Sequence, residues 1–115
     1  MATTHRFETY EGNSVALPFE LRREGVKGVW DVSGATQIAL EVTSPAGTDL
    51  SPVLADSNHA DANWAEGLVV VVISSANVTN VIGSYAYSLT VTISGQILTV
   101  ATGVIEVKDR PGYTP

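Results

Sequence analysis

"VIGSYAYSLTV", Val81–Val91, carries the pattern that decides the fold. Tyr85, Tyr87, Leu89 and Val91, followed by Ile93, take every second position, with small or polar residues between them. A period of two is the mark of a strand with one buried face. Gly83 stands two residues before Tyr85, and Val81 two before the glycine. In Greek-key sandwiches a tyrosine near the start of a late strand turns its hydroxyl back onto the backbone of the preceding corner. Such a corner needs tight backbone, which glycine supplies, and an apolar plug slightly earlier. Val81, Gly83 and Tyr85 match that spacing and are expected to serve structure, not catalysis.

The same alternation recurs on both sides. Upstream, "SVALPFELR" puts Val15, Leu17, Phe19 and Leu21 on one face, and Pro18 marks an edge strand because it has no N–H for a ladder. "TQIALEVT" turns Ile38, Leu40 and Val42 inward, and a weak strand is expected at residues 50–54, interrupted by Pro52. "LVVVVI", residues 68–73, is a continuous β-branched run and reads as a strand buried on both faces. One helical turn is possible within 74–83. Ser94-Gly95 signals a two-residue hairpin into "QILTVAT". Gly103 is expected to break that strand as a bulge, with "VIEV" closing the core. About seven short strands with no 3.6-residue period define an all-β sandwich or barrel. Residues 1–13 read as an N-terminal arm or short edge strand with little apolar burial, 14–109 as the β-sandwich, and 110–115 as a tail.

The chain has 115 residues, about one domain, and no cysteine, which excludes disulfides, thiolate zinc sites and cysteine nucleophiles. A formal charge of −6 with pI near 4.6 repels phosphate backbones and anionic lipid, so neither nucleic acid nor membrane is an expected partner. No apolar run is long enough to span a bilayer and no signal peptide stands out, so synthesis in a cytoplasm is expected.

Chemistry is sparse. His5 and His59 sit in no metal or triad spacing. Asp56, Asn58, Asp61 and Asn63 outline a calcium loop but lack the glycine and closing glutamate that such a loop uses. Neither a nucleophile elbow nor a marked pair of carboxylates stands out. The expectation is a protein without catalytic residues, cofactor or metal. Trp30 and Trp64 read as core or rim packing, with a sugar-stacking platform as the alternative.

Three stretches carry a resemblance. Tyr10-Glu11-Gly12-Asn13-Ser14 leads into an alternating strand. Asp31-Val32-Ser33-Gly34-Ala35 turns into the next one. Gly83-Ser84-Tyr85, Gly95 and Gly103-Val104-Ile105-Glu106-Val107 form the ending. In this order they resemble the immunoglobulin-like N-terminal domain of tailed-phage upper baseplate proteins and related virion modules. The resemblance implies a single immunoglobulin-like Greek-key sandwich, a virion structural protein that docks on the tail or baseplate exterior. Family members often continue into a receptor-binding or fibre domain. A module ending at Pro115 could equally decorate a capsid, and a carbohydrate-binding or adhesive domain is the other alternative. Implied partners are other virion proteins, in an oligomeric arrangement within the particle. Phe7, Tyr10 and Tyr113, the aromatics of the two ends, are the candidate partner-binding anchors, since aromatics dominate interface hot spots.

Overall fold

In the computed structural model of the chain, the described residues are 3–10, 13–22, 30–73, 82–109 and 111–112, the side chains of residues 3–5 excepted. The possible helical turn at 74–83 lies almost wholly outside them, as do Val81 and Tyr113.

Seven strands form among the described residues: β1 Thr3–Tyr10, β2 Val15–Glu20, β3 Gln37–Thr43, β4 Val53–Leu54, β5 Leu68–Ile73, β6 Gly83–Ile93 and β7 Gln96–Lys108. They make a five-stranded sheet in the order β1-β7-β6-β3-β4 and a two-stranded sheet, β2-β5. All neighbours run antiparallel except β1 and β7, which are parallel. The alternation sorts side chains as the sequence demands. Leu17 and Phe19 of β2 with Val69, Val71 and Ile73 of β5 face Ile38, Leu40 and Val42 of β3, Tyr85 to Val91 of β6, and Ile105 and Val107 of β7. Each such aliphatic side chain contributes about 1.5–3 kcal/mol on full burial. Two sheets closed over one apolar layer are a sandwich, and the fold class expected from the sequence holds.

Three expectations need correction. The N-terminal segment is not a free arm: β1 lies along β7 from Thr3–Ala101 to Tyr10–Lys108, so the sandwich begins well before residue 14. Its apolar contribution is real, because Phe7 packs edge-on against Phe19 with centroids 5.6 Å apart and lies 5.9 Å from Tyr87. An isolated aromatic in a polar stretch hid this, since one ring creates no periodicity. Gly103 does not break β7 either. It stays in register between Tyr87 and His5, and the irregularity falls at Val100, left over between the pairs Leu89–Ala101 and Thr90–Thr99. The bulge reconciles two phases of alternation, with Leu98 even-numbered and Ala101, Ile105 and Val107 odd-numbered. Finally, β5 is doubly buried only at Val70, whose carbonyl accepts from the Asp56 N–H, while Val72 is 42% exposed.

β6 and β7 are joined by Ser94 and Gly95, both at positive φ (52° and 76°), a type I′ turn whose twist matches the flanking strands.

If Phe7 pins β1, Phe7→Ala should cost about 2–3 kcal/mol, below the range for a fully buried ring because Phe7 is half-buried. Urea unfolding measures this. A midpoint equal to that of the unaltered protein would mean that the backbone ladder alone holds β1.

Candidate functional site

The residues singled out in the sequence separate into builders of the fold and surface groups. Gly83 opens β6 at φ 142°, and a Cβ there would lie 2.9 Å from Cγ of Pro45. Glycine is therefore required by both backbone and space. Tyr85 is buried, which the corner and simple core packing have in common. The Asp31 turn is equally structural. The Asp31 carboxylate accepts from the Ser33 hydroxyl (2.6 Å) and the Ser33 N–H (2.9 Å), which holds its pKa below the ordinary carboxylate value. Between them, Val32 is fully buried and donates its N–H to the Trp64 carbonyl at 2.8 Å.

The polar loop after β4 is spent on its own backbone. Asp56 accepts from the Asn58 N–H and the His59 ring from the Asp61 N–H, at 2.9 and 3.1 Å. Trp30 and Trp64 are partly buried against the core, and the Trp64 indole N–H has no acceptor among the described residues. On the outer face of the large sheet, a depression of about 500 Å³ is bordered by Glu41, Thr43, Asp49 and Ser88. The Thr43 hydroxyl donates to Asp49 there at 2.9 Å.

The candidate anchors are not brought together. Phe7 points to the core, Tyr10 is exposed at the far end of the same strand, and Tyr113 lies outside the described residues. A different surface stands out. β1 covers β7 only from Ala101 onward, so Gln96–Val100 have β6 on one side and no strand on the other among the described residues. This open stretch carries Ile97, 73% exposed, and Leu98, 37% exposed. Ile97 pairs across with Thr92 on the outer face, and Leu98 with buried Val91 on the inner one.

Other described edges are guarded in ways proteins use against unwanted pairing. β1 presents exposed Arg6 and Glu8, and β2 carries exposed Pro18. β4 is two residues long beside Pro52. β5 is covered by the loop bonded at Val70 and at Leu68, which exchanges two hydrogen bonds with Asn63. At the β7 tip there is no charge at all: none occurs between Glu66 and Glu106. That uncharged run was the available sequence signal, together with two adjacent large apolar residues just after a turn.

No protein-family model and no curated protein matches the sequence. Among solved structures, the chain is similar to CopC from Methylosinus trichosporium OB3b, at TM-score 0.51 and 16% identity over 95% of this chain and 89% of that one. It also aligns with Tim-1 at TM-score 0.40 and 17% identity, over 100% and 99% of the two chains. The strand order and the CopC likeness define the class: this is an immunoglobulin-like β-sandwich protein. At these identities the likeness concerns fold alone.

Gly83→Ala should destabilise by about 1–3 kcal/mol through positive-φ strain and the Pro45 contact. In a Pro45→Ala background only the steric part should be recovered. Thermal unfolding of the two single variants and the double variant separates the terms, and full recovery would remove the backbone argument. Tyr85→Phe should cost about 1–2 kcal/mol if the hydroxyl bonds the corner backbone. An unchanged Tm would sink the tyrosine corner and leave the sandwich standing.

Proposed function

We propose that the protein is a non-catalytic docking module, a structural component of a tailed-phage virion carried on the tail or baseplate exterior. Capsid decoration is the other placement within the same reading. Two things support it. Three motifs in order resemble virion immunoglobulin-like modules, and among the described residues the β6–β7 hairpin presents one unguarded strand edge. The edge is the observation that carries the docking role. Unpaired backbone groups flanked by exposed Ile97 and Leu98 suit strand addition, in which main-chain hydrogen bonds supply affinity and alternate side chains supply specificity. The partners in this reading are other virion proteins. A sugar-binding role has less to rest on, since both tryptophan rings are partly committed to the core.

The test is co-expression with the virion proteins encoded beside it, followed by mass spectrometry of separated heads and tails. The protein should appear in tail fractions. Ile97→Lys should reduce its incorporation by about tenfold while its melting curve stays within about 0.5 kcal/mol of the original, since the side chain is mostly in solvent. Recovery in heads instead would select capsid decoration. Absence from both would refute the virion reading.

A further inference from the structure

We propose that the open edge of β7, Gln96–Val100, pairs antiparallel with the same edge of a second copy about a two-fold axis, so that two five-stranded sheets become one. The inference deepens the docking reading by naming an occupant for its edge. A partner that replaces water along the whole ladder must itself be extended backbone, which narrows the occupant to a strand. A two-fold contact uses the same patch on both partners, so the patch must be open and self-compatible. Among the described edges this one alone is free of a proline, a charge or a covering loop.

Charge points the same way. Each copy carries −6, so two copies repel wherever acidic surface meets. The tip lies within the run between Glu66 and Glu106 that holds no charge, and its large exposed side chains, Ile97 and Leu98, are apolar. A two-fold approach through the tips therefore brings neutral surface together and keeps the carboxylates apart. On the outer face it sets Ile97 and Thr99 of one copy beside those of the other; on the inner face it covers Leu98. A ladder of five residues a side falls below the roughly 1,200 Å² of stable complexes, which makes the pairing weak and reversible.

The experiment is sedimentation velocity of the full chain over two decades of concentration, at low and high sodium chloride. The average mass should rise toward that of a dimer with concentration. Salt should strengthen association, because it screens repulsion between the acidic bodies without touching a neutral contact. Ile97→Lys with Thr99→Lys should weaken association by about tenfold or more, although it lowers each copy's net negative charge. Leu54→Lys, which removes the 60% exposed leucine of β4, should leave it unchanged. Because the chain has no cysteine, Thr99→Cys gives a covalent readout. It should form interchain disulfides under mild oxidation, and Leu54→Cys should not.

A monomer at every concentration, or a dimer lost with Leu54→Lys and kept with the double lysine variant, would overturn the pairing. If a monomeric protein still enters particles and loses that ability with Ile97→Lys, the docking reading survives and the edge takes a different strand.

Discussion

The sandwich depends on one cluster of three rings. Phe7 on β1, Phe19 on β2 and Tyr87 on β6 meet with centroids 5.6 to 5.9 Å apart; Phe19 stands edge-to-face to both others, the arrangement aromatic quadrupoles favour, and Phe7 is tilted against Tyr87. In immunoglobulin domains with a disulfide, the second cysteine lies two residues after the corner tyrosine, and the bridge ties the two sheets. This chain has no cysteine, and Phe19 and Tyr87 meet between the two sheets instead, with centroids 5.9 Å apart. A disulfide would constrain the unfolded chain by about 2–4 kcal/mol. A ring pair contributes about 0.5–1.5 kcal/mol beyond the area it buries. The tie is therefore weaker and needs more partners, which is why a third ring from the first strand belongs to it.

That requirement fixes the register of β1. A slip of one residue would turn Phe7 outward. A slip of two toward the hairpin would place Phe7 beside Gly103 and pull it off Phe19 and Tyr87. Charge does not make the choice. Glu8 and Glu106 are register partners, and like charges directly opposed destabilise a ladder. Arg6 pairs diagonally with Glu106, and Lys108 with Glu8 at 3.2 Å, so each carboxylate has a cation beside it. These pairs are exposed and individually worth little. A slip of two away from the hairpin would set Arg6 opposite Glu106 and Glu8 opposite Lys108, so it is the ring cluster, and not charge, that holds the register.

What the sequence made legible follows from periodicity. β2, β3, β6 and the hairpin at Ser94-Gly95 repeat a two-residue pattern over enough positions to be read directly, and their buried faces are the expected ones. β1 was half legible: its polar composition fits an edge strand as well as an arm, and only Phe7's contacts with residues far along the chain decide between them. The bulge was misplaced at Gly103 because glycine is a stronger local signal than a change of phase, which is visible only across the whole of β7. The docking edge was not read at all. An edge is a property of which strand fails to have a neighbour, and it depends on where the β1–β7 ladder stops. Phe7 shows the same limit from the other side: aromatic character marked it for binding, while the register commits it to the core.

The core fixes which part of β7 the first strand lies along. With Phe7 beside Ile105, the described ladder runs from Ala101, next to the bulge, to Lys108. A bulge twists a strand locally and often marks where pairing ends. Beyond it β7 runs on with β6 as its one strand neighbour among the described residues, in a hairpin closed by a type I′ turn. Unpaired strand edges are an aggregation hazard, commonly blunted with charge or proline. This chain uses those devices at β1, β2 and β4, yet leaves the β7 tip neutral, apolar and extended. Sliding the described β1 toward the tip would dismantle the ring cluster, so the register that stabilises the sandwich also keeps Thr3–Tyr10 off Gln96–Val100. A neutral, apolar edge on a chain otherwise acidic enough to repel its neighbours is the described surface where association meets the least electrostatic opposition.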